Sequence, residues 1–529
     1  MNDTSMPVSQ KVLLALILLA GVFTRSWHLG DKILWIDEAI NWKVSQMETV
    51  SDVREYYHFE QHTALPNLID RFWIRLAGDT EVALHLESLL WSLLAMGVFT
   101  AAVFIGLPWR AALPVAAVYA LNPFLPEFAQ MFRHPALSSF AAAVWLLGLL
   151  GYRRKRNLVY LAIYAAGLVL AVFAHLYAIY TVTFLGLFVL LTRREWGRQF
   201  WPILLCHGVP ALAILPKILL MKKMGVMGMA QGVPLSEALA HLARFPIGGI
   251  VVIIYNFCAG RYVDMHIIPA PALLGILAVF GAAAVAAVLN REHRFEAALA
   301  VTVLGGTLIL GLLMMIFRSV LFNSKYYMPL FGMFSILVGL GAHCLVVKKP
   351  RLGPVLLAAY FVFSLVFLSL YWSRLNRPQN TKTVLEYLDK NARPGDFVNM
   401  SPPYPWLFEY YWKGDIPAHD FSDDFDTRTR MHNVLFLLSA GERQLTDARM
   451  REWHEQVASR YNRVWMLWIL GPVNTEDRNG VAKKWMDAHY RKIETVPFRM
   501  FPYAHEHIGE VVLYEVKEPE RRSSGQNKE

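Results

Sequence analysis

The chain has 529 residues, 55% hydrophobic and only 17% charged, with a formal net charge of +10. Soluble chains of this length carry about a quarter charged residues, so the composition points to a polytopic membrane protein and excludes disorder, collagen and coiled coil. Three scattered cysteines, Cys206, Cys258 and Cys344, fit no CxxC spacing. They argue against a disulfide framework, a structural zinc site or an iron–sulfur cluster.

Apolar stretches of bilayer length, about 20 residues, are expected at 11–27, 82–105, 111–127, 136–151, 158–174, 175–192, 201–220, 269–289, 296–317, 327–347 and 354–372. A further apolar piece at 246–258 reads as an interfacial helix. Basic residues alternate along the loops. Arg110, Arg153 to Arg156, Arg193, Arg194, Arg198, Arg291, Arg294, Lys348, Lys349 and Arg351 fall on every second connection. The positive-inside rule then predicts eleven spans with the N-terminus in the cytoplasm and the C-terminus outside. Residues 11–23 could also be read as a signal peptide, but no A-x-A pattern follows, which favours a retained first helix.

Two domains are expected: a membrane domain at 1–372, with a long first outside loop at 28–81, and an α/β domain at 373–529. The tail carries 23 basic and 23 acidic residues, so the whole excess belongs to residues 1–372, with 28 bases against 18 acids. That placement fits anionic headgroups and topology rather than nucleic acid. In the tail, "TKTVLEYLDKNARPGDFV" predicts a helix, a Pro-Gly turn and a strand, and "RYNRVWMLWIL" a buried strand. "GVAKKWMDAHY" has helical spacing, and "EVVLYEV" reads as a closing strand.

Residues able to carry chemistry collect in the expected outside loops. "LWIDEAINW" brings Asp37 and Glu38 to the end of the first span. Acids at a membrane face are functional candidates, while a solvated pair or a helix cap is the plainer alternative. The same loop offers Glu60, His62 and Pro66 ahead of an amphipathic stretch, and the next offers Glu127 and Arg133. A guanidinium at this boundary either snorkels to lipid or clamps a phosphate. His175 and Tyr177 lie between two spans, and Arg318, Lys325, Tyr326 and Tyr327 cluster before the tenth. Aromatic belts and interfacial anchors use the same residue types. Together these groups suggest a reaction at the outer interface on an anionic lipid.

In order and spacing these elements resemble the C-type polytopic membrane glycosyltransferases, in the branch of protein O-mannosyltransferases and the lipid A aminoarabinose transferase. The matching pieces are Asp37-Glu38, "ALPNLI", "LAGDTE", "RHPAL" from Arg133, "HLY" from His175 and "KYYMP" from Lys325, with "ARPGDFV" and "RYNRVW" in the tail. His85 and Pro135 depart from that family's usual Arg and aromatic residue.

The resemblance implies an α-helical polytopic fold of about eleven spans and a polyprenyl-phosphate sugar as donor. It also implies transfer to a hydroxyl of a protein, lipid or glycan at the outer face of a cell membrane, such as a bacterial inner membrane. The expected base is Asp37, seconded by Glu38, because a hydroxyl needs help to lose its proton. Arg133, Lys325, Arg318 and His175 are expected on the donor phosphate. His62, Glu127, Tyr177 and Tyr326 are expected on substrate. A single base with cations predicts inversion, unlike the carboxylate pair of glycosidases. A divalent ion on Asp37, Glu38 and Glu127 is left open. The rival classes are a secondary transporter or lipid flippase, and an assembly factor acting through "PPYPWLFEYYW".

Overall fold

The computed structural model describes residues 5–59, 63–223, 246–261, 268–318, 323–375, 381–400, 405–412, 416–420, 446–469, 480–500 and 507–516. Among the described residues, eight helices are long and apolar enough to cross a membrane: Val8–Ser26, Glu81–Gly106, Pro135–Lys155, Arg193–Leu220, Ala270–Leu289, Arg294–Met315, Ser324–Lys348 and Leu352–Ser373. Shorter apolar helices at Trp109–Leu121, Leu158–Ala174 and Ala178–Leu191 complete the correspondence with the eleven expected stretches. Residues Pro246–Ala259 form a further apolar helix.

One expected span differs. The stretch at 111–127 stops being helical at Leu121, and a separate turn of helix occupies Leu125–Ala129. The cause is Asn122-Pro123, since the residue before proline is pushed out of the helical region. The Asn122 side-chain oxygen accepts from the Phe124 N–H at 2.8 Å, and its amide donates to the Phe257 carbonyl and the Tyr360 hydroxyl at 2.9 Å. The 13-residue helix Trp109–Leu121 is therefore only about 20 Å long, short of the roughly 30 Å hydrocarbon core. Glu127 consequently belongs to a folded loop and not to a span.

Helix Pro135–Lys155 is mostly buried, packing between Glu81–Gly106 and Leu158–Ala174. Helices Ala270–Leu289 and Leu352–Ser373 instead turn Leu274, Val279, Val285, Val355, Val362 and Val366 outward, as lipid-facing helices do. One close crossing is reciprocal. A Cβ on Gly148 would stand 2.3 Å from the Tyr164 nitrogen, and one on Gly167 would stand 2.4 Å from the Trp145 nitrogen. Small residues let membrane helices approach this closely. We predict that Gly148→Val or Gly167→Val forces these helices apart. Monodisperse yield in detergent should collapse for either variant, whereas Gly97→Val, at a position with open space, should purify normally.

Side-chain contacts sort the loops of this membrane unit by end. At one end, Arg153 bonds Glu296 at 2.5 Å, stands 3.9 Å from Glu195 and covers the Phe295 ring, while the His293 and His343 rings lie 5.5 Å apart. Three of the basic connections expected on one side therefore meet, beside the last turns of helix Phe331–Lys348. At the other end, Gln130 donates to the Arg25 and Trp27 carbonyls at 2.8 and 2.7 Å, and Lys32 donates to the Gln130 carbonyl at 2.5 Å. The fully buried Arg25 donates to the Gly21, Tyr119 and Ala120 carbonyls, pinning the first helix to the Asn122 break. Helix Leu65–Ala77 buries Asn67, Asp70 and Arg71 while exposing Phe72 and Leu76, the reverse of a soluble helix and the habit of one lying on an interface.

The chain divides into two compact units, one of residues 1–32 and 44–375, the other of residues 33–43 and 376–529. The second contains a five-stranded mixed sheet. Its strands are β1 Asp396–Met400, β2 Ala418–Asp420, β3 Arg463–Ile469, β4 Arg491–Met500 and β5 His507–Glu515, in the order β2-β1-β3-β5-β4. β1 runs parallel to β2 and β3, and β5 runs antiparallel to β3 and β4.

Strand β3 is central, and Val464, Trp465, Met466, Leu467 and Trp468 are all buried, which explains its unbroken apolar run. Helices Asp447–Gln456 and Val481–His489 cover one face through Met450, Trp453, Trp485 and Met486. Asp396, at the start of β1, accepts two bonds from Arg463 and one from the Trp465 indole at 2.9 Å. Among the described residues strand β4 pairs with β5 alone and carries Arg491, Lys492 and Glu494, so its edge position hides it from a search for apolar runs.

Candidate functional site

The expected site residues fall in both units, and each group is described within its own unit. In the second unit, helix Ile36–Ser45 carries Asp37 and Glu38 in its first turn. Glu38 is fully buried, and its Oε2 accepts from the Trp35 N–H at 3.1 Å, closing the helix start like the acidic half of a capping box. Asp37, one position earlier, is half-buried. The aligned N–H groups of a first turn favour negative charge at that point.

The segment is held from the tail. The Leu34 N–H donates to the Tyr411 hydroxyl at 2.8 Å, the Trp42 ring meets Tyr410 edge-on at 5.1 Å, and Lys43 pairs with Glu409. Helix Pro405–Tyr411, the aromatic segment of the tail, is thus the support of the acidic pair. Nothing in either segment alone announces this pairing.

In the membrane unit, three loops bring the other groups together. Helix Leu158–Ala174 ends at His175, whose Nδ1 accepts from the Tyr177 N–H at 3.1 Å. A neutral His175 ring therefore carries its proton on Nε2. The His175 ring lies 5.0 Å from Tyr326 at an interplanar angle of 30°, and Tyr177 stacks on Tyr326 at 4.7 Å and 15°. Tyr327 meets Tyr177 edge-on at 6.1 Å. The Lys325 ammonium stands 5.1 Å from the Tyr326 ring centroid, and its backbone N–H is capped by Asn323 at 3.1 Å.

On the other side of His175 is His134, with ring centroids 4.5 Å apart. His134 was not singled out from the sequence, although it directly follows Arg133. Arg133 is half-buried, with its backbone N–H on the Met131 carbonyl at 2.6 Å. The cluster joins residues whose sequence positions differ by almost 200, in a layer of flat rings with the Lys325 ammonium beside it.

Glu127 is buried and pairs with Arg261 at 3.7 Å, and that guanidinium also lies over Phe128. Arg261 is a partner that sequence reading did not name. Arg318 ends helix Arg294–Arg318, and its side chain lies outside the described residues, as does His62 altogether. For a divalent ion, Glu38 and Glu127 already have polar partners, and Asp37 with Glu38 offers adjacent carboxylates on one turn.

No protein-family model and no curated protein matches the sequence. Solved structures do match. ArnT from Cupriavidus metallidurans in the apo state superposes with a TM-score of 0.55 at 13% identity, covering 95% of this chain and 98% of that one. The same protein bound to undecaprenyl phosphate matches equally, covering 96% and 98%. An Archaeoglobus fulgidus oligosaccharyltransferase follows at a TM-score of 0.47 and 13% identity, over 94% of this chain and 72% of that one. Along nearly its whole length, then, the chain has the polytopic membrane fold of the Cupriavidus metallidurans ArnT, the fold class expected from its motifs.

Proposed function

We propose that the protein is an inverting membrane glycosyltransferase that moves a sugar from a polyprenyl phosphate to an acceptor hydroxyl at the outer membrane face. The observation that carries this reading is the convergence of His175, Tyr177, Tyr326 and Lys325, from loops about 150 residues apart, on one end of the bundle. The ArnT likeness supports the fold of such an enzyme, and that ArnT was captured with undecaprenyl phosphate.

In the proposed reaction Asp37 takes the proton of the acceptor hydroxyl, and the oxygen attacks the anomeric carbon. The bond from that carbon to the phosphate oxygen breaks, and its electron pair leaves with the polyprenyl phosphate. Attack opposite the departing phosphate inverts the anomeric centre. The leaving group needs charge stabilisation rather than a proton, which Arg133, Lys325 and the Nε2–H of His175 supply. Tyr177 and Tyr326 offer ring faces and hydroxyls to the sugar. Glu38 holds the helix start that aims Asp37. The acceptor is a protein, lipid or glycan.

The test is direct. Purified protein with a polyprenyl-phosphate sugar and candidate acceptors should release polyprenyl phosphate. A flippase would move the lipid between leaflets of a vesicle and leave the sugar bond intact. The alternation of basic loops supports an N-terminus in the cytoplasm and a tail outside. A fluorescent reporter that folds only in the cytoplasm, fused after residue 529, should stay dark. A bright fusion would overturn that topology.

A further inference from the structure

At the far end of the same bundle is a cluster that glycosyl transfer does not use. Glu292 and His293 precede helix Arg294–Arg318, and His343 lies near the end of helix Phe331–Lys348. One ligand atom from each of the three lies within 4.8 Å of the others. Both histidines are buried, and Glu292 is exposed. His343 stands sixteen positions beyond Tyr327 in sequence, about 24 Å along a helix. The cluster is therefore remote from the ring stack of the proposed site.

We propose that Glu292, His293 and His343 bind a divalent transition-metal ion, with Zn²⁺ the best chemical match. Two imidazoles and a carboxylate form a donor set that zinc accepts readily, leaving a fourth position for water. The Nε2 of His293, a residue only 3% exposed, has no hydrogen-bond partner among the described residues. A buried polar atom without a partner is costly, and metal coordination removes that cost. The His343 ring lies 5.5 Å from that of His293, so the two imidazoles face the same small volume.

Ligands around tetrahedral zinc stand about 3.3 Å apart, so the group must close by about 1.5 Å. The exposed Glu292 side chain has the freedom to do so. The Arg110 charge beside His343 opposes a cation, and the Glu292 carboxylate offsets it. The bound ion would tie the connection after helix Ala270–Leu289 to helix Phe331–Lys348, giving these helices a cysteine-free staple.

The experiment uses full-length protein in detergent, stripped with chelator and titrated with Zn²⁺ by calorimetry and with Co²⁺ by visible absorption. The wild type should take up one equivalent that is absent from His293→Ala/His343→Ala, together with the intense bands of tetrahedral Co²⁺. Because only the difference between the two proteins counts, an ion held elsewhere does not confuse the reading. Glu292→Gln, an exposed substitution that should not disturb folding, is expected to weaken binding at least about tenfold. If Glu292→Gln and His293→Gln, both eluting as the wild type does, bind the metals as the wild type does, the site does not exist.

Discussion

Asp37→Asn is expected to lower the rate of polyprenyl phosphate release by about 10²- to 10⁴-fold, the usual cost of losing a general base. Asparagine has the same shape and also suits a first helical turn, so the Glu38 cap and the contacts of Leu34, Trp42 and Lys43 should survive. The loss should appear in kcat with little change in donor KM, because the base acts on the acceptor oxygen. Glu38→Gln should be far milder. Its remaining carbonyl oxygen can still accept from the Trp35 N–H, so the helix start persists. Near-normal turnover by purified Asp37→Asn would remove Asp37 from the chemistry, and a Glu38→Gln loss larger than that of Asp37→Asn would exchange their roles.

The second large effect concerns the donor phosphate. Arg133→Ala and Lys325→Ala should each weaken donor use by roughly ten- to a hundredfold. Charge-assisted bonds to phosphate contribute about 1.5–3 kcal/mol, and about 1.4 kcal/mol corresponds to tenfold. Since charge grows on the phosphate as the sugar leaves, kcat should fall along with the rise in KM. Lys325→Arg should keep more activity than Lys325→Ala, because a guanidinium also packs well on the Tyr326 ring. If both residues only anchor to bulk lipid, the alanine variants will show normal kinetics at limiting donor in detergent.

The spans were readable because membrane length and apolarity are local properties. Strand β3 was equally visible, since five consecutive buried residues leave an unbroken apolar run. What escaped the sequence reading depends on partners distant in the chain. The Asn122 break is legible as Asn-Pro, yet the carbonyl and hydroxyl that receive its amide are 135 and 238 positions away. His134 belongs to the site cluster through a ring contributed by another loop. Arg261 meets Glu127 across a similar gap. Strand β4 was missed because an edge strand keeps charged residues facing water. Periodicity reports which face of an element is buried, but not what buries it.

The support of residues 33–43 by helix Pro405–Tyr411 bears on how such a chain could be altered by evolution or engineering. The acidic helix is encoded beside the first span but folds as part of the tail. Transplanting a foreign tail onto these spans would thus replace the bed on which Asp37 rests, unless the new tail preserved Glu409, Tyr410 and Tyr411. Residues 33–43 and the tail form a single compact unit, although more than 300 residues separate them. A graft made at the last span alone would cut through that unit, whereas one that carries both segments would leave it whole.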